Sequence, residues 1–146
     1  MFSDLGYRWI SSRSHVPGLR SERGEEPPPE YFDAIAGAQA ETQPYLYPNG
    51  LLEIPFSPIS DISAFRSYRW KLEYFLEAIR RGLSHVIEHG QVYDFLSHPS
   101  CLGVVDPEFR AIDLICDLVD RSKGRARIVG LDTIARRFLP TRAGVR

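Results

Sequence analysis

Four histidines are the residues of this 146-residue chain whose types and spacing most readily do chemistry. His85-Val86-Ile87-Glu88-His89 matches the H-x-x-E-H zinc-protease arrangement letter for letter. Two histidines four apart share a helix face, as zinc ligands must, and a glutamate beside them can activate water. The context argues against that chemistry. The pair closes its helix directly before Gly90, where histidines are commonly solvated and favoured by the helix dipole. A third ligand should come from a later acidic residue, and Glu108 is the only glutamate downstream. His98 is the more informative position. It follows the apolar run Val92–Leu96 and so projects from the C-terminal end of an expected strand, the place where α/β folds keep a general acid or base. A histidine that only hydrogen-bonds its own loop fits the spacing equally well. The two cysteines, Cys101 and Cys116, are too few for a disulfide framework or a four-ligand zinc site. Cys116 falls on the apolar face of an expected helix, which predicts a buried free thiol.

The elements that must position these side chains begin with a β-prone run at Tyr7–Ser12 (YRWISS). A polar connection, 13–44, follows; it holds Gly18, Gly24, Glu25-Glu26 and Pro27-Pro28-Pro29, with room for one short helix at Tyr31–Ala40. Connections of this length are lids or disordered segments, and the sequence leaves both open. Tyr45–Phe56 (YLYPNGLLEIPF) places Asn49-Gly50 between apolar runs and predicts a β-hairpin, while Pro48 and Pro55 keep its strands from the centre of a sheet. Asp61 or Ser63 is placed to cap a helix running to about His89. Leu72, Phe75, Leu76, Ile79, Leu83, Val86 and Ile87 form its apolar stripe, and Gly90 ends it. Val92–Leu96 reads as a strand buried on both sides. Pro107 then opens a helix with Phe109, Ile112, Ile115 and Val119 inward. Ala126–Leu131 is a last strand and Asp132–Leu139 a last helix. The alternation from Leu72 onward predicts an α/β fold with parallel strands. Arg13, Ser14 and His15 follow the first strand and so belong to the same face as His98. His15 and Glu53 are the substrate-contact candidates there; Asp61 is a rim candidate as well, although surface pairing or helix capping suits it better.

Composition bounds the function classes. Eighteen Lys plus Arg against 19 Asp plus Glu give a formal net charge of −1, which removes the electrostatic case for binding nucleic acid or an anionic membrane. No run approaches a membrane span, and the N-terminus MFSDLGYRW lacks the basic start and apolar stretch of a signal peptide. A cytoplasmic location is the default expectation.

The order YRWISS, a long loop, EIPFSPISD, a helix, then FLSHPSCLGVVDPEFRAIDLI and ARIVGLDTIARR resembles the C-terminal half of polysaccharide deacetylases, the NodB-homology family. The resemblance runs from about Leu5 to Arg137, and its most specific parts are Leu96-Ser97-His98 and Glu53-Ile54-Pro55. It implies a partial, distorted (β/α) barrel with an inserted hairpin over residues 1–139, followed by a tail at 140–146. It also implies hydrolysis of acetamido groups on N-acetylated sugars. In the family a divalent metal, usually zinc, is held by one aspartate and two histidines. A neighbouring aspartate is the base, and the histidine of a leucine-x-histidine motif is the acid. Leu96-Ser97-His98 fits that last motif, so the resemblance makes His98 the catalytic acid and Leu96 part of the floor under the acetyl methyl group.

The remaining catalytic motifs do not occur. There is no threonine-phenylalanine-aspartate-aspartate and no arginine-x-proline. His85 and His89 have the family's histidine-x-x-x-histidine spacing, but they close a helix far downstream of where that pair belongs, and they are rejected as its metal site. No metal ligand is therefore assigned. The absent parts all belong to the family's N-terminal half, which leads to the expectation of a chain that begins partway through the domain. Such a chain alone should bind zinc weakly, release no acetate, and self-associate through an open sheet edge. The alternative is a non-catalytic protein, either a complementing half or a carbohydrate-binding module that has lost the metal site.

Overall fold

The computed structural model describes residues 5–15 and 22–139, so the tail at 140–146 and part of the 13–44 connection lie outside the described residues. The fold is mixed α/β. Strands β1 (Trp9–Ile10), β2 (Tyr45–Leu46) and β3 (Leu52–Glu53) form one sheet in the order β1-β3-β2. β1 runs parallel to β3, with Trp9 opposite Leu52, and β2 runs antiparallel to it, with Tyr45 opposite Glu53. The expected hairpin is present. Its loop is a turn in which Gly50 N–H donates to the Tyr47 carbonyl at 2.9 Å, with Pro48 and Asn49 at the centre. Gly50 takes a φ of 80°, which an L side chain rarely adopts, and this matches a hairpin loop with one residue more than the tightest form.

Helices supply most of the core: α1 (Pro29–Glu41), α2 (Leu72–His89), α3 (Pro99–Val105), α4 (Arg110–Arg121) and α5 (Leu131–Phe138). α1 sits inside the expected loop. It starts with proline at its first position, where no intrahelical donor is lost, and buries Tyr31, Phe32 and Ile35. These pack with Trp70, Phe75 and Ile79. Each such side chain contributes about 1.5–3 kcal/mol of burial, so Phe75→Ala alone should cost about 3–5 kcal/mol. A second cluster packs Leu52 and Ile54 against Ala135 of α5, with Trp9, Val92 and Ile134 around it.

Several sequence expectations are corrected. The helix expected from Asp61 to His89 is two elements, a wide π-helical turn at Ile62–Ser67 and then α2. Asp61 does cap the first, accepting from Ile62 N–H at 2.9 Å. Arg69, at φ 56°, breaks the path, and Tyr68 stacks on Trp70 beyond it. Gly90 ends α2 in the left-handed conformation, as its position predicts. The helix expected at Pro107 starts at Arg110, because buried Asp106 accepts from both Arg110 and Ala111 N–H, at 3.0 and 2.8 Å. The preceding residues form the separate helix α3. Phe109 is left in a strained left-handed conformation and exposed, so the expected inward stripe of α4 is only partly covered. Cys116 is exposed rather than buried.

Neither downstream strand forms. Residues 92–96 and 126–130 belong to no sheet, and Ile128 and Val129 are exposed. At 92 the reason is visible. Val92 N–H donates to Gln43 Oε1 at 2.8 Å and its carbonyl accepts from Gln43 and Gln39 Nε2, each at 3.1 Å. A side-chain amide thus takes the place of a neighbouring strand and satisfies both backbone groups.

Candidate functional site

Segment 91–98 is held from three sides. Ser57 N–H donates to the Asp94 carbonyl at 2.7 Å, which ties it to the chain leaving β3. Ser11 Oγ, just past β1, donates to Asp94 Oδ2 at 2.8 Å. On the third side α2 comes close because residue 82 is glycine: a Cβ there would stand 3.2 Å from Tyr93 Cε2. Burial pushes the Asp94 carboxyl above its ordinary range, against the pull of Ser11, and pushes the Tyr93 hydroxyl upward in the same way.

This segment delivers His98 to Asp61. Asp61 is fully buried, and its two oxygens grip one residue. Oδ1 accepts from His98 Nδ1 at 2.8 Å, and Oδ2 accepts from the His98 backbone N–H at 2.7 Å. His98 also stands as the residue before α3, with Pro99 at the helix's first position and Cys101 and Leu102 N–H on its carbonyl at 2.8 Å each. Cys101 is buried behind the pair, its thiol on the Asp61 carbonyl at 3.7 Å. The ring is therefore fixed in position and tautomer. With Nδ1–H committed to the carboxylate, Nε2 is the ring atom free to exchange a proton, and the side chain is 40 % exposed. An aspartate-oriented histidine of this kind can work as a general acid or base.

The other sequence candidates fall elsewhere. Leu96 lies two residues before His98 on the same segment and is half-buried. Glu53 is fully buried and receives four hydrogen bonds: Ser12 N–H and Oγ at 2.7 and 2.9 Å, Arg13 N–H at 2.9 Å, and Tyr47 Oη at 3.1 Å. A carboxylate has about four lone-pair positions, so Glu53 is occupied in joining β1 to the hairpin. His15 pairs with Glu41 at the end of α1, Nε2 to Oε2 at 3.0 Å, both exposed. Exposed pairs of this kind contribute little to stability. The residue that sequence reasoning missed is Asp61 as the partner of His98; its capping role was legible, whereas the pairing spans 37 residues and carries no local signal.

A zinc site needs about three protein ligands plus water. Among the described residues no group of three or more His, Cys, Asp or Glu could hold a metal ion. Asp61 and His98 Nδ1 are bound to each other. His85 and His89 stack at 4.1 Å between ring centroids, 23° apart, so their in-plane lone pairs do not converge on a common point. His89 Nδ1 lies on the His85 carbonyl at 2.8 Å, and His85 Nε2 is buried with no hydrogen-bond partner. The donors among the described residues do not fit zinc, and no chemical step is assigned to it. No helix among the described residues is long and apolar enough to cross a membrane. The chain matches no family model, no curated protein and no solved structure.

Proposed function

We propose that this chain supplies the proton-transfer half of an amide-hydrolysing centre of the polysaccharide-deacetylase type, acting on N-acetylated sugars, with His98 as acid and Asp61 as its positioning residue. The observation that carries the reading is the Asp61–His98 pair, which leaves Nε2 available at a half-open surface. As the carbon–nitrogen bond breaks, His98 Nε2–H passes its proton to the leaving sugar amine, while Nδ1–H stays on Asp61. Leu96 would lie against the acetyl methyl group. In this reading the sheet is part of a distorted (β/α) barrel, and the metal ligands and the base come from sequence that completes it. Self-association through the sheet edge goes with the same reading, and sedimentation velocity across a concentration series would test that element.

The decisive experiment is to read the genomic sequence upstream of Met1 and express any in-frame extension. An aspartate-aspartate motif followed by histidine-x-x-x-histidine is expected. The extended chain should release acetate from an N-acetylglucosamine monosaccharide, and His98→Ala should lower kcat by about 10²–10⁴-fold. Full activity in His98→Ala would overturn the assignment. The second reading is a saccharide-binding chain without hydrolysis, which needs no metal triad. Stop codons or unrelated sequence upstream would select it.

A further inference from the structure

The hairpin carries a chemical surface that the Asp61–His98 pair does not use. Tyr45 and Tyr47, two apart along the chain, share the sheet face of Glu53, as the pairing of Tyr45 with Glu53 requires. Their rings meet edge to face, 5.2 Å between centroids and 68° between planes. Tyr45 Oη donates to Tyr47 Oη at 3.1 Å, and Tyr47 Oη donates to Glu53 Oε2 at 3.1 Å. The Arg13 guanidinium lies near the Tyr47 and Tyr45 hydroxyls, and these neighbours, with Glu53, hold the Arg13 pKa above its ordinary value.

Exposed tyrosines are ordinarily solvated and free to change rotamer. Here two rings are tied by a relay of hydroxyls to a carboxylate with no exposed surface, and Tyr45 is nevertheless 43 % exposed. The relay has a direction. Each hydroxyl proton points inward, so Tyr45 Oη presents lone pairs outward, and Arg13 presents donors beside it. Glu53 has no acceptor position left for a ligand. A matching ligand offers a C–H face for a ring and hydroxyls that donate to Tyr45 and accept from Arg13. Because the rings are already ordered, little entropy is lost when it docks.

We propose that Tyr45, Tyr47 and Arg13 form a saccharide-contact platform on the hairpin, taking a neutral pyranose unit of an N-acetylated glycan. The proposal rests on the reading that the chain acts on or binds such sugars, and it adds where a unit of the glycan is held. A cation is disfavoured by Arg13, and an acidic glycan is not required by the donor and acceptor set.

The test is NMR titration of the full chain with an N-acetylglucosamine tetramer. The Tyr45 and Tyr47 ring resonances should shift with a Kd in the millimolar range, about −4 kcal/mol of binding free energy. Tyr45→Ala should weaken binding at least about fivefold, within what one aromatic contact supplies. Tyr45→Phe, which keeps the ring and loses the acceptor, should weaken it about two- to threefold. Unchanged circular dichroism will show that both variants fold. Binding that leaves these resonances and the Tyr45→Ala affinity unchanged would overturn the platform, and so would no binding by about 20 mM, well above a millimolar Kd. Acetate release from the monosaccharide needs no second sugar, so His98-dependent turnover with an inert hairpin would sink the platform alone.

Discussion

Asp61 holds His98 at two points, 2.8 Å from the ring Nδ1 and 2.7 Å from the backbone N–H, so one buried carboxylate sets both the ring and the start of α3. Asp61→Asn should therefore loosen the tautomer as well as the position. In ¹⁵N NMR of the wild type, Nδ1 should be protonated and Nε2 bare at alkaline pH; in Asp61→Asn the two tautomers should mix. Asp61→Ala leaves three part-buried donors, His98 Nδ1–H and the His98 and Ile62 N–H groups, without their acceptor and should cost about 2–4 kcal/mol in denaturant unfolding. An unchanged tautomer in Asp61→Asn would show that the carboxylate does not orient the ring.

Glu53 joins β1 to the hairpin through four donors. Glu53→Ala should cost about 3–5 kcal/mol, read as a fall of about 10 °C in Tm. A fall of less than about 3 °C would mean that water replaces the carboxylate at little cost.

Asp94 gives stability a pH dependence. Its folded pKa lies above the ordinary 3.8 because burial disfavours the charge. The folded state therefore binds this proton more tightly than the unfolded state does. That contribution is fully present below pH 3.8 and is lost as pH rises through the higher folded value. Relative to wild type, Asp94→Asn should gain stability between the mildly acidic range and pH 7. The difference between the two Tm curves measures this, and parallel curves across that range would refute it.

Gln43 does the work of a strand for Val92. Gln43→Glu places a carboxylate oxygen against the Val92 carbonyl, while Gln43→Ala leaves the Val92 N–H without its partner. Amide hydrogen exchange at Val92 should quicken by about tenfold or more in both, as a lost hydrogen bond of about 1.4 kcal/mol or more implies. Exchange as slow as wild type would mean that other contacts hold the segment.

What was legible in the sequence follows periodicity and punctuation. Leu72, Phe75, Ile79, Leu83 and Val86 repeat at helical spacing and Gly90 ends the run, so α2 ends where expected, whereas its start lies at Leu72 instead of Asp61 because the path breaks at Arg69. Asn49-Gly50 likewise announced the hairpin. Val92–Leu96 and Ala126–Leu131 failed because β-prone composition is not enough and a strand also needs a neighbour; at Val92 the neighbour is the side chain of Gln43, which no local pattern reveals. Phe109 shows the same limit: the stripe placed it inward, but the Asp106 cap moved the helix start and turned it out. At the candidate site, His98 was singled out as the end of a strand that does not form, and its pairing with Asp61 depends on two distant segments meeting.

The two thiols differ in access, and that makes them a clock. Cys116 is exposed, whereas Cys101 is buried with its sulfur on the Asp61 carbonyl. A thiol-specific reagent should label one equivalent at once and the second only when α3 lifts away from Asp61. The slow phase then counts openings of α3 at the Asp61–His98 pair, in the unmodified sequence and without any substrate, and a ligand seated at His98 should lengthen it.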